Sequence, residues 1–108
     1  MADEHPRRRR TTSDDHVVLA MDLEEVQSFV IVAEELHFGR AAERLHLDQS
    51  SLSRRVSHLE RSFNVPLLDR SSRRVRLTTS GAYLLLNAPL LLEDAVELIE
   101  AVRRAAPQ

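Results

Sequence analysis

Residues 48–66 constrain the fold of this chain more than any other stretch. Leu52, Val56, Leu59 and Phe63 recur at i, i+4, i+7 and i+11, a single apolar stripe of helical spacing. At about 100° per residue, Ser50, Arg54, Ser57 and Arg61 fall on the opposite side, with His58 flanking them. That outer side carries no acid. Asp48, just before the run, offers a carboxylate that can accept a backbone N–H of the first turn. Asn64 tolerates the left-handed conformation that ends helices, and Pro66 prevents continuation. The spacing predicts a helix over 49–63, buried along one stripe and presenting arginine on the other.

Two further helices precede it. Leu23, Val26, Phe29, Val30, Ala33 and Leu36 recur at helical spacing, with acids mostly on the other side, which predicts a helix over 22–36. His37-Phe38-Gly39 is expected to break it. A second helix is expected over 40–46, with Ala41, Ala42 and Leu45 inward, the paired alanines allowing close approach of a neighbour. Leu47 is expected to be a buried turn residue.

Downstream, Leu67 to Arg70 and Arg74 to Thr78 read as two short strands around Ser71-Ser72-Arg73. Val75 and Leu77 alternate with Arg74 and Arg76, giving the hairpin one apolar and one basic face. The predicted fold is mainly α: three helices and a two-stranded wing, a winged helix-turn-helix over 21–78, followed by a long helix over 79–106. Thr78 or Thr79 is expected to cap that last helix. Leu84, Ala88, Leu91, Ala95, Leu98 and Val102 form a heptad-like seam along it, and Leu85, Leu92, Val96 and Ile99 widen the seam. Pro89 is expected to kink the helix. The small domain can shield only part of this surface, mainly near Tyr83 and Leu84.

Charge narrows the function classes. The formal net charge is −2, yet residues 21–37 carry five acids and no base, whereas residues 48–76 carry seven arginines against three acids. Such asymmetry builds a local field that the global charge hides. Residues 1–20, with Arg7 to Arg10 but no apolar period, are expected to be a disordered extension and not a secretory signal. No cysteine is present, which leaves no disulfide framework or thiolate metal site. His37, His46 and His58 match no metal-ligand spacing, and no glycine-rich phosphate loop or nucleophile elbow occurs. The longest uncharged stretch, Leu77 to Leu92, is interrupted by Thr78, Thr79, Ser80, Asn87 and Pro89, so no membrane span is expected. An enzyme is not expected, nor is a cofactor or a metal.

Nucleic acid fits the basic surface. A helix presenting Gln49, Ser50, Ser53 and Arg54 at its N-terminal end suits the major groove, where Gln can read adenine and Arg guanine. Arg55 and Arg61 are better placed for phosphates or for pairing with acids of the chain. Arg73, at the tip of the wing beside Arg74, can reach a minor groove, where narrow A·T tracts attract arginine.

From Met21 onward the chain resembles the N-terminal domain of LysR-type transcriptional regulators. The resemblance rests on residues 37–46 (HFGRAAERLH), on Gln49 with Leu52-Ser53-Arg54, and on Leu59-Glu60. Val65-Pro66-Leu67, residues 73–78 (RRVRLT) and Gly81 complete it. It departs where Ser50 stands at a common proline, Ser72 at the usual wing glycine and Arg55 at a frequent glutamine. The resemblance implies a homodimer whose long helices pair antiparallel through Leu84, Leu91, Ala95, Leu98 and Val102. It further implies recognition of an interrupted inverted repeat in promoter DNA, in the cytoplasm at the nucleoid. DNA contacts are then expected at Gln49, Ser50, Ser53, Arg54, Arg73 and Arg74, with Arg40 on a phosphate. Family members usually continue into a two-lobed effector domain, so no small-molecule effector site is expected within these 108 residues. The alternative is an interaction module that pairs with full-length regulators through the last helix and modulates them.

Overall fold

The computed structural model describes residues 21–71 and 74–107. The extension over 1–20 and the wing-tip residues Ser72 and Arg73 lie outside the described residues. Four helices and one two-stranded antiparallel sheet make up the rest, in the order α1 (Leu23–Glu35), α2 (Phe38–Leu45), α3 (Gln49–Phe63), β1 (Leu68–Asp69), β2 (Arg76–Leu77) and α4 (Thr79–Ala105).

Helix α1 starts where Asp22 accepts the Glu24 N–H at 2.8 Å, and Glu24 and Glu25 in its first turn complement the helix dipole. Val26, Phe29, Val30 and Ala33 form its buried stripe, with Val32 and Ser28 buried beside it. The break after α1 falls at Leu36 and not at His37-Phe38-Gly39 as expected. Leu36 takes left-handed backbone at φ 51°, with its N–H on the Val32 carbonyl. A non-glycine residue there costs about 1 kcal/mol, which the packed neighbours must offset.

His37 then begins the next helix instead of interrupting one. Its ring Nδ1 accepts the Arg40 N–H at 3.0 Å, so α2 opens at Phe38, two residues before the expected Arg40. Gly39 therefore lies in a first turn. A Cβ at that position would stand 2.9 Å from His37 Cε1 and 3.3 Å from the Gln49 amide nitrogen. A side chain there would push on the His37 ring that caps the helix. Ala41 and Ala42 are buried, Leu45 is half-buried, and His46 closes the helix at φ 56°. Leu47 is half-buried against the core, less enclosed than expected.

Helix α3 has the bounds its sequence signals predict. Asp48 caps it, Leu52, Val56 and Leu59 are fully buried, Phe63 is half-buried, and Asn64 ends it at φ 59°. Among the described residues the wing strands are shorter than expected, with Leu68 paired to Leu77 and Asp69 to Arg76. Its base is anchored. Leu67 and Leu68 are both buried, and the Glu60 carboxylate of α3 accepts their N–H groups at 2.8 and 3.1 Å. Thr78 donates to the Pro66 carbonyl at 2.8 Å and accepts the Gly81 N–H at 3.0 Å, which starts α4. A Cβ at Gly81 would collide with the Leu67 carbonyl oxygen, so glycine lets α4 lie directly on the wing backbone.

Helix α4 runs unbroken through Pro89 for 27 residues, about 40 Å. Its first half packs against α1 and β2, burying Gly81 and Ala88 and half-burying Leu84, Leu85 and Leu92. Tyr83 differs from expectation: it is 71% exposed and takes no part in that packing. Residues 84, 88 and 92 lie on one side of the helix, whereas 83, 86 and 90 lie on the other. Among the described residues no helix is long and apolar enough to cross a membrane.

Candidate nucleic-acid interface

The outer face of α3 is built at its N-terminal end by a short polar chain. Asp48 Oδ2 accepts the Ser51 N–H at 2.9 Å, and Asp48 Oδ1 accepts the Ser51 hydroxyl at 2.8 Å. The same hydroxyl oxygen accepts Arg54 Nη2 at 3.1 Å. The Ser51 hydroxyl, then the Ser51 N–H, with the Arg54 charge nearby, hold the Asp48 carboxyl below its ordinary range. Gln49, Ser50 and Arg54 are exposed on the first turns, and Ser53 is half-buried beside them. These four sequence-predicted residues share one end of one helix.

Most other cations near the core meet acids of α1. Arg40 donates to Glu35 Oε1 at 3.1 Å and to the Glu35 carbonyl at 3.2 Å. Arg44 bridges Glu34 at 3.0 Å and Glu35 at 3.1 Å. Arg40, and then Arg44, hold the Glu35 carboxyl below its usual range. On the other flank Arg55 reaches the buried Ser28 hydroxyl at 3.1 Å and stands 3.7 Å from Glu24. His58 lies 2.8 Å from Glu25, so it clasps α3 to α1 and is not simply solvated. The opposite charges of residues 21–37 and 48–76 thus resolve partly into inter-helix pairs. Arg54 and Arg61 remain on the outer face with no carboxylate in pairing range among the described residues.

Arg40 of α2, Gln49 of α3 and Arg74, which precedes β2 on the tip side of the wing, line one open depression, together with His37, Gly39 and Val75. Three sequence-predicted residues from three elements therefore meet there, and Arg74 itself is engaged by a neighbour. Arg73 lies outside the described residues. Two contacts were not legible in the sequence. The Arg70 guanidinium sits 5.1 Å above the Phe38 ring, within cation–π range, and its Nη2 is 3.5 Å from Glu60 Oε1. Together with the Glu60 bonds to Leu67 and Leu68, they fix the wing against α2 and α3.

The seam of α4 divides in two. Leu84 and Ala88 pack on the chain's own core, so the shielding expected near Tyr83 and Leu84 falls on Leu84 and Ala88 and not on Tyr83. The distal half stays open: Leu91 is 37% exposed, Leu98 64% and Val102 62%, with Val96 and Ile99 also exposed and Ala95 half-buried. Leu86 and Leu90, which the heptad count passed over, are exposed on the opposite side with Tyr83.

Three buried-stripe helices, a wing braced on the third, and an outer helix face free of acids define a winged helix-turn-helix DNA-binding domain. Residues 23–82 match the family model of the bacterial regulatory helix-turn-helix proteins of the lysR family, and the chain belongs to that family. It is a domain of the transcription-regulator class and not an enzyme. It is 42% identical over 86 residues to the HTH-type transcriptional regulator AlsR of Bacillus subtilis, covering 80% of this chain and 28% of that protein. Over 75 residues it is 47% identical to the Hca operon transcriptional activator HcaR of Escherichia coli, covering 69% of this chain and 25% of that one. The chain thus spans little more than a quarter of these relatives' length. Among solved structures it is similar to a BenM DBD in complex with catB site 1 DNA. That match has 34% identity and a TM-score of 0.72, and covers 82% of this chain and 99% of the other. Full-length CbnR complexed with its target DNA is 35% identical, with a TM-score of 0.72 over 79% of this chain and 30% of the other.

Proposed function

We propose that residues 21–78 read DNA sequence for a homodimeric transcriptional regulator and that residues 79–106 link and pair its subunits. Helix α3 enters the major groove with Gln49, Ser50, Ser53 and Arg54 toward base edges. Arg73 and Arg74 of the wing follow the adjacent minor groove, and Arg40 meets a phosphate. The carrying observation is the α3 outer face, where Gln49, Ser50 and Arg54 are exposed together while the flanking Arg55 and His58 are turned to α1. DNA complexes of similar domains support the same direction.

Pairing follows from what α4 leaves uncovered. Leu91, Leu98 and Val102 are open apolar surface on one side of its distal half. A second copy laid antiparallel covers them by two-fold symmetry and sets the two α3 helices apart, one to each half-site of an interrupted inverted repeat. Such a regulator works in the cytoplasm, on nucleoid DNA. The same exposed half-helix supports a second reading, a module that pairs with full-length regulators and modulates them. The exposed Gln49 and Arg54 favour direct binding over it.

Two variants test the assignment of roles. Arg54→Ala should lose about 10- to 100-fold on a preferred duplex and relax the preference at one base pair. Arg40→Ala should weaken all duplexes alike and lower the salt slope by about one unit. Equal losses of Arg54→Ala on preferred and random DNA would remove the base-reading role.

A further inference from the structure

We infer that Ser51, held by Asp48, is a positioning residue that sets Arg54 for base readout, an inference that rests on the proposed role of Arg54. Ser51 does not need to touch DNA for this. Its hydroxyl has one proton, and Asp48 Oδ1 takes it at 2.8 Å. The oxygen is then available only as an acceptor, and it faces Arg54 Nη2 at 3.1 Å. Arginine on a helix leans toward the N-terminus, so this bond holds the guanidinium over the turn that carries Gln49 and Ser50. One of its five N–H donors is used, and the others remain for a paired contact to a guanine edge.

Two features make this arrangement specific to Arg54. Arg61 lies on the same outer face and has no side-chain partner among the described residues, so it is free to follow any phosphate. Arg55 is turned inward to Ser28 and Glu24. Only Arg54 is fixed at the end of α3 proposed to enter the groove. Immobilising a long side chain is a cost of association, and a contact already made in the free protein removes part of it. The gain falls on the sequence-dependent contact, because an unfixed arginine can reach phosphate on any duplex.

The test uses the 108-residue chain and three variants: Ser51→Ala, Ser51→Thr and Arg54→Ala. Affinity is measured for a duplex enriched by the wild type from a random pool, for that duplex changed at the base pair Arg54→Ala ceases to distinguish, and for random DNA. Ser51→Ala should lose about 3- to 10-fold of the discrimination at that pair, the net worth of one ordinary hydrogen bond, with random-DNA affinity unchanged. Ser51→Thr, which keeps the hydroxyl, should restore it. The cap survives either change, because the backbone N–H at 51 still meets Asp48 Oδ2, and thermal melting checks this. Full discrimination in Ser51→Ala overturns the inference, as does equal weakening on both kinds of DNA, or failure of the threonine to rescue. If Arg54→Ala itself leaves discrimination intact, the base-reading role of Arg54 falls and this inference falls with it.

Discussion

The winged domain and the distal half of α4 both carry apolar stripes but dispose of them in opposite ways. In the domain every stripe closes on another: Leu52, Val56 and Leu59 of α3 meet α1, and Leu67 is enclosed at the base of the wing. Beyond Leu92 no apolar residue of the helix packs against the core among the described residues, and Leu98, Ile99 and Val102 stay half or more exposed. Exposed contiguous apolar surface of this kind marks an interaction site. The difference separates the two tasks. In the proposed function the closed part carries the reading surface and the open part takes a second copy.

Stability measurements offer the strongest way to break that contrast. Leu59→Ala should cost about 2–5 kcal/mol in urea denaturation, because the cavity lies in a packed core. Leu98→Ala, measured at protein concentrations low enough to keep the chain monomeric, should cost less than about 0.5 kcal/mol. Similar losses for the two would mean that the distal helix is already part of a single-chain core. Assembly comes next. Each leucine buried by pairing contributes up to about 1.5–3 kcal/mol. Leu91→Asp with Leu98→Asp should therefore convert a dimer at tens of micromolar to a monomer in sedimentation equilibrium. An unchanged mass, with the wild type also monomeric, would end the pairing proposal.

A smaller effect concerns the brace between wing and α3. Glu60→Ala removes the acceptor of the Leu67 and Leu68 N–H groups and should cost about 1.5–3 kcal/mol, more than Leu98→Ala and no more than Leu59→Ala. Its DNA affinity should fall on all sequences through the displaced wing, which a titration against random duplex reads.

How much of this was legible beforehand depends on how local the determining signal is. Asp48, Asn64 and Pro66 act on their own backbone, and the bounds of α3 follow from them. Thr78 is equally local. Leu36 and His46 end helices in left-handed backbone without being glycine or asparagine, and nothing in their side chains announces it. The capping role of His37 needs its ring placed against the Arg40 N–H, which only the fold provides, so the sequence marks it as a breaker. Periodicity marks the apolar seam of α4, and the small size of the domain implies that only part of it is shielded, but that Ala88 and not Tyr83 is covered is decided by tertiary packing. Glu60 with Arg70, and Arg70 with Phe38, join residues ten or more positions apart, beyond any local pattern. Of the residues proposed to read DNA, the α3 set is marked by its spacing in the sequence, whereas the Ser51 contact to Arg54 follows only from the fold.

The smallest expected effect is a pH dependence confined to the domain. Asp48 titrates below its ordinary range in the folded chain, so its contribution is fully present above the unfolded value of about 3.9. It is lost as pH falls through the lowered folded value. The stability difference between wild type and Asp48→Ala should therefore be constant from pH 7 down to about 5 and shrink below about 4, followed by thermal melts. A difference that grows on acidification would contradict the capping geometry.

One measurement bears on both halves of the contrast at once: selection of bound sequences by the wild-type chain from a random duplex pool. A domain that reads and a helix that pairs should enrich an interrupted inverted repeat, two copies of one short half-site in opposite orientation. Enrichment of single half-sites would leave the reading surface and remove the pair. No enrichment at all, with binding that only follows salt, would contradict the claim that α3 reads sequence.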